Sequence, residues 1–212
     1  MSLCPVCEAT LTTPLVCLNC KTLLSTEGRE VSPFEALGVE RRWEIDPKQL
    51  KRALLDLSRH VHPDYFATAE PEQRELAEQA SATLNEAFET LRDDPRRADW
   101  LVRALGGPSD SEERQMPQAF LMQVLEWNEV LEEARGATAG TDEWQAMIDL
   151  GAELSSEREE RLEAIAAQLT PLPAAGAEAL IEVRRELNAV RYIDRTRAEL
   201  KSLRLEASLG GA

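Results

Sequence analysis

From residue 32 onward the apolar positions of this chain recur with helical spacing, and the polar breaks between them carry recognisable start and stop signals. Ser32-Pro33 offers an N-cap and a first-turn proline for a short helix, Phe34-Glu35-Ala36-Leu37, which Gly38 stops. Asp46-Pro47 repeats the start signal. Leu50, Leu54, Leu57 and Val61 then share one face before Pro63 ends the helix. After a loop, Leu76, Ala80, Leu84, Ala87 and Leu91 stripe a second amphipathic helix over residues 70–92. Pro95 opens a shorter helix through Leu105, broken by Gly106-Gly107-Pro108.

The remainder reads as three helical segments, 117–134, 141–169 and 175–206, divided by Gly136 to Gly140 and by Pro171-Leu172-Pro173. Three antiparallel helices in a bundle are their natural packing. The first 24 residues instead read as a miniature knuckle module, followed by the polar linker Ser25 to Glu30. The expected fold is therefore all α after this module, organised as 1–30, 31–106 and 107–212.

Composition supports the helical reading, with 5% aromatic and 30% charged residues. The formal net charge of -15 removes nucleic acid from the partners expected, because neutralising phosphates needs a surplus of Lys and Arg. Residues 107–212 hold 21 acidic and 11 basic side chains, so -10 of that total lies there. No apolar run approaches the roughly 18 residues needed to cross a bilayer, and the N-terminus shows no signal or transit pattern. A soluble, cytoplasmic protein with no membrane partner is the expectation.

All four cysteines fall within the first twenty residues, as Cys4-Pro5-Val6-Cys7 and Cys17-Leu18-Asn19-Cys20, nine residues apart. Two such knuckles converge to offer four thiolates tetrahedrally to a soft divalent ion, with zinc the expected occupant. With four protein ligands no position stays open for water, so the role is structural, holding a segment too small for a core of its own. Disulfides or a redox pair are the rival reading, disfavoured because neither a secretion signal nor a βαβ pattern accompanies the pairs. The spacing leaves iron open.

Lys48, Arg52 and Arg59 lie within about 40° of one another on a helical wheel, with the leucine stripe about 180 to 240° away. Alone, such a stripe is a solvated face. Here His62-Pro63-Asp64 follows directly, then a second amphipathic helix, and this arrangement resembles the J-domain. Phe34-Glu35-Ala36-Leu37-Gly38-Val39, Arg59-His60-Val61-His62-Pro63-Asp64-Tyr65-Phe66 and Gln79 to Phe88 sharpen the resemblance to the HscB family of iron–sulfur co-chaperones. Arg96-Arg97-Ala98-Asp99-Trp100-Leu101, Ala119-Phe120-Leu121-Met122 and Arg191-Tyr192-Ile193-Asp194-Arg195 extend it, so the likeness runs over 33–205. The tetracysteine module is similar to that of eukaryotic members and is absent from the better-known bacterial form.

The resemblance implies that His62, Pro63 and Asp64 trigger ATP hydrolysis in a DnaK/HscA-type chaperone, with the basic helix docking on that partner's acidic surface. Charge fits this: Asp64 can accept from an arginine of the partner while Lys48, Arg52 and Arg59 steer the encounter.

In the first C-terminal helix Phe120, Val124, Trp127 and Leu131 form the expected buried stripe. Met122, Glu126, Glu129 and Glu133 point about 180 to 240° away, with Leu121 and Leu125 on the adjoining flank. In the last helix Leu180, Val183, Leu187 and Val190 form the core stripe, and Tyr192 is expected on the outside, about 180° from Val183. Exposed apolar residues are common and need no explanation on their own. The family resemblance implies more: these positions contact the cluster-scaffold protein IscU. The chain is then a monomeric adaptor rather than an enzyme. Its only histidines are His60 and His62, its cysteines are committed to metal, and no Gly-rich phosphate loop precedes a helix. The alternative is a general J-domain co-chaperone for unfolded clients, with a self-associating bundle.

Overall fold

Capping chemistry sets where the helices begin. In the computed structural model, Ser32 accepts from Glu35 N–H while the Glu35 carboxylate accepts from Ser32 N–H, a reciprocal box that starts α1 (Pro33–Leu37). Gly38, at φ 63°, closes it. Asp46 accepts from Lys48 N–H at 2.9 Å and starts α2 (Pro47–Val61). Pro63 then forces the chain into a short 3-10 turn, Pro63–Phe66. Next come α3 (Pro71–Arg92), α4 (Asp94–Ala104), α5 (Gln118–Ala134), α6 (Asp142–Leu169) and α7 (Ala179–Gly210).

The structure describes residues 2–135, 137–138 and 140–210, with side chains to residue 206. Gly136 and Ala139 of the expected divide, and Gly211-Ala212 of the tail, lie outside the described residues. No strand forms among the described residues; two isolated antiparallel bridges, Leu3 with Thr10 and Val16 with Leu23, flank the cysteine knuckles. Two compact units result, residues 1–97 and 98–212, with the boundary inside α4.

In the first unit α3 packs on α1 and α2. Its buried positions are Ala77, Ala80, Leu84, Ala87 and Leu91. Leu76, expected in that stripe, is only half-buried and Ala77 takes its place. The reason is geometric: Ala77 completes a three-four repeat, and Leu76 lies about 100° round the helix at the edge of the contact. Likewise Leu54 is half-buried beside the buried Leu50, Leu57 and Val61. Trp43, which the helical pattern did not capture, is 6% exposed, with the Arg97 guanidinium 4.3 Å from its ring.

The cysteine segment is built into this unit. Thr13 is buried, and its hydroxyl donates to the Ala36 carbonyl at 2.8 Å. Leu15, Val16 and Leu23 are buried as well. A Cβ on Gly38 would stand 2.8 Å from Thr12 Cγ2 and 2.9 Å from Thr12 O, so only glycine lets α1 end this close to the module.

In the second unit the polar pairs give the register. Trp127 pairs with Glu153 and Gln123 with Glu157, so α5 and α6 run antiparallel. Arg158 pairs with Asp194 and Arg161 with Glu186, so α6 and α7 do the same. Phe120, Trp127, Leu131, Met147, Leu150, Leu154 and Ile193 belong to one core cluster. The last helix begins at Ala179 rather than at 175, because Gly176 (φ 71°) makes a turn whose N–H donates to Leu105 O at 2.8 Å. Gly107 is packed so closely that an added Cβ would lie 2.7 Å from Val102 Cγ1 and 2.8 Å from Leu180 Cβ. Arg184, fully buried, donates to Pro108 O at 2.9 Å and to Asp99 at 2.7 Å. The Gly106-Gly107-Pro108 segment is thus a pinned turn.

Candidate functional site

The two cysteine pairs fold into matching knuckles. Cys4 N–H donates to Ala9 O and Glu8 N–H to Cys4 O; Cys17 N–H donates to Thr22 O and Lys21 N–H to Cys17 O. Glu8 (φ 59°) and Lys21 (φ 65°) each make the left-handed reversal four residues after the first cysteine. All four Sγ atoms lie within 4.8 Å of one another, with Cys4 and Cys20, and Cys7 and Cys17, at 3.6 Å. Sulfurs about 2.3 Å from a central ion at tetrahedral angles stand about 3.8 Å apart, so the cage fits a four-thiolate metal ion. A disulfide needs about 2.05 Å, and all four cysteines are free. The Thr22 hydroxyl and its backbone N–H pull Cys20 down to about 6, and the Asn19 amide on its Sγ lowers Cys7, both favouring the thiolate a metal takes.

On α2, Lys48, Arg52 and Arg59 are all exposed, as is Lys51. None of the four pairs with a carboxylate among the described residues, although acids outnumber bases 39 to 24 in the chain. Most arginines of the second unit, by contrast, are tied into ion pairs. The exposed Leu55 lies about 20° from Lys48 on the wheel, an apolar spot within the basic face. Sequence reasoning passed over Lys51 and Leu55, although the same wheel places both beside Lys48.

Immediately beyond, His62 caps α2 and the 3-10 turn at once. Its Nδ1 accepts from Asp64 N–H at 3.3 Å. Tyr65 N–H donates back to His62 O at 3.0 Å, and the Tyr65 ring stands edge-on to the imidazole at 6.1 Å. Pro63 fixes the backbone between them. The Asp64 carboxylate is left 89% exposed, 3.6 Å from His62 Nδ1. This small self-bonded turn presents one carboxylate outward.

On α5, Leu121, Met122 and Leu125 are exposed at 45%, 66% and 60%, and Glu126, Glu129 and Glu133 are exposed around them. Val124 is half-buried beside the buried Phe120, Trp127 and Leu131. Tyr192 departs from expectation. Rather than standing outside, it is half-buried: its ring meets Phe120 edge-on at 6.0 Å, and its hydroxyl donates to Asn128 at 3.0 Å. The cause is that α7 packs on α5 as well as α6, so a second set, Ala189, Ile193, Thr196 and Leu200, is buried beyond the single stripe foreseen.

The DnaJ domain family model matches residues 32–100, and the model described as the HSCB C-terminal oligomerisation domain matches 116–201. A co-chaperone HscB homolog of Bordetella petrii is 39% identical over 137 residues, covering 64% of this chain and 77% of that protein. Another, of Ralstonia nicotianae, is 35% identical over 169 residues, covering 78% of this chain and 92% of its own. The chain belongs to the HscB family of co-chaperones.

The solved human co-chaperone HscB has a similar fold, with a TM-score of 0.75 at 20% identity over 97% of this chain and 100% of that one. HscB from Vibrio cholerae gives a TM-score of 0.68 at 24% identity, over 84% of this chain and 99% of its own. The DnaJ match contains all of α2 and His62-Pro63-Asp64. The HscB C-terminal match contains the whole exposed face of α5 and Tyr192, whereas the four cysteines fall outside both family models.

Proposed function

We propose that the chain stimulates a DnaK/HscA-type ATPase chaperone through His62, Pro63 and Asp64, and delivers to it an IscU-type scaffold for iron–sulfur cluster transfer. What carries this reading is the exposed Asp64 placed at the end of a helix whose cations have no carboxylate partners among the described residues of an acid-rich chain. Positive potential left unneutralised there draws an acidic surface to α2, through Lys48, Arg52 and Arg59. Asp64 then accepts a charge-assisted hydrogen bond from an arginine of the chaperone. The hydrolysis is the partner's chemistry, and this chain makes or breaks no covalent bond.

The scaffold sits on α5. Leu121, Met122 and Leu125 supply an apolar centre, Glu126, Glu129 and Glu133 a charged rim, and Tyr192 an edge braced by Phe120 and Asn128. Cys4, Cys7, Cys17 and Cys20 hold a structural zinc ion, which closes the N-terminal module and leaves no position for a substrate. Residues 1–30, 31–106 and 107–212 serve as metal module, chaperone-stimulating module and client-binding module of a cytoplasmic monomer.

The test is single-turnover ATP hydrolysis by a DnaK-type chaperone with this chain, with and without an IscU-type scaffold. Stimulation that needs Asp64 and rises further with the scaffold is expected. Asp64→Ala abolishes it while leaving scaffold binding intact, and Met122→Ala with Leu125→Ala does the reverse. Loss of both activities in both variants sinks the two-surface reading. The rival, a general J-domain co-chaperone, draws on the oligomerisation named in the matched C-terminal family. It predicts stimulation indifferent to the scaffold and a self-associating chain in sedimentation.

A further inference from the structure

Lys21 is the only Lys or Arg before Arg29, and the second knuckle fixes where it goes. Its backbone is held in the left-handed region at φ 65°, with N–H donating to Cys17 O at 2.8 Å. Glycine would take that conformation without the steric cost of a Cβ, a cost that Lys21 bears as Glu8 does in the first knuckle. Its Nζ stands 3.4 Å from His60 Nε2, on the last turn of α2 and two residues before His62. Among the described residues no carboxylate pairs with it. The module carrying it is seated on α1 by the buried Thr13–Ala36 hydrogen bond and the close Thr12–Gly38 approach, so this placement is part of the fold.

We propose that the cysteine module belongs to the chaperone-docking surface: it supplies Lys21 as an additional cation beside His60, at the end of α2 that leads into the His62-Pro63-Asp64 turn, facing the same acidic partner as α2. This rests on the reading that α2 and that turn meet a DnaK-type chaperone. His60 lies about 100° round the helix from Arg59, so Lys21 carries the positive face onto a flank that α2 itself leaves without a cation near the turn. A cation added on that flank adds to the potential that an incoming acidic surface meets, until salt screens it. The four cysteines thereby gain a role in the J-domain's encounter with its partner, since they hold the reversal that aims Lys21.

The experiment titrates the metal-loaded full chain, as parent, Lys21→Glu, Lys21→Gly and Lys21→Arg, against a DnaK-type chaperone in single-turnover ATP hydrolysis at low and high salt. Metal content is measured for each. Lys21→Glu is expected to raise the half-saturating concentration about fivefold at low salt, with the difference fading at high salt and the stimulated rate at saturation unchanged. Lys21→Gly suits the left-handed backbone, is expected to keep the metal and removes the whole side chain with its charge and its contact to His60; it raises that concentration about twofold, and Lys21→Arg matches the parent. If Lys21→Glu and Lys21→Gly retain metal and titrate like the parent while Asp64→Ala abolishes stimulation, the inference falls and the docking reading stands. No stimulation by the parent overturns both.

Discussion

Asp99→Ala and Arg184→Met break the same ion pair, yet they are expected to cost the second unit very different amounts. Arg184 is fully buried, and a guanidinium cannot shed its proton to escape burial. Without Asp99 the only hydrogen bond it keeps among the described residues is to Pro108 O, and its Nη2 has no hydrogen-bond partner to begin with. Stranding a buried charge in this way costs about 3–5 kcal/mol. Arg184→Met instead leaves a carboxylate that is 29% exposed and still paired with Arg103 at 3.0 Å. The remaining loss is the hydrogen bond to Pro108 O, about 1–2 kcal/mol. With an unfolding entropy of about 2.1 cal/mol/K per residue over roughly 115 residues, 1 kcal/mol moves Tm by about 4 °C. Asp99→Ala then lowers Tm of the second unit's transition by about 12–20 °C and Arg184→Met by about 4–8 °C. Differential scanning calorimetry of the full chain reads both. Equal shifts, or a larger one for Arg184→Met, would refute the argument that the stranded partner sets the cost.

Gly107→Ala forces a methyl to within 2.7 Å of Val102 Cγ1 and is expected to destabilise by about 1–3 kcal/mol in urea unfolding. Gly151→Ala, within α6 and with no atom within 4 Å of an added Cβ, goes the other way by up to about 1 kcal/mol. Tyr192→Phe keeps the ring on Phe120, loses only the bond to Asn128, and costs about 0.5–1 kcal/mol in the same assay. Tyr192→Ala costs about 2 kcal/mol, so a scaffold-binding defect in that variant must be read beside its stability. Cys20→Ser leaves three thiolates and is expected to abolish tight metal retention, measured as metal per chain after dialysis against a chelator; retention of one equivalent would count against the four-thiolate cage.

Several features were fixed by local chemistry and so were legible before any tertiary structure. Ser32, Asp46, Pro63 and Gly38 act within one helical turn of themselves, which is why the boundaries of α1 and α2 fall where capping chemistry places them. The C-x-x-C pairs constrain four sulfurs to two short reversals, and their convergence needs little more than the nine residues between them. The basic face of α2 follows from helical period alone. What period cannot say is how many neighbours a helix will have. Tyr192 lies opposite one stripe, but α7 meets two helices, so the second contact buries what a single-stripe reading left outside.

The same limit explains Gly106-Gly107-Pro108, which reads equally as hinge or turn until Val102, Leu180 and Arg184 are seen to close on it from elements up to 76 residues away. Lys21 is the clearest instance. The sequence places it beside a cysteine, and only packing of the module on α1 brings its ammonium to His60, 39 residues on. Charge, caps and ligand spacing are properties of a segment and are written in order along the chain. Which face meets which, and therefore which cations stand together, depends on contacts between distant segments, and those exist only once the chain has folded.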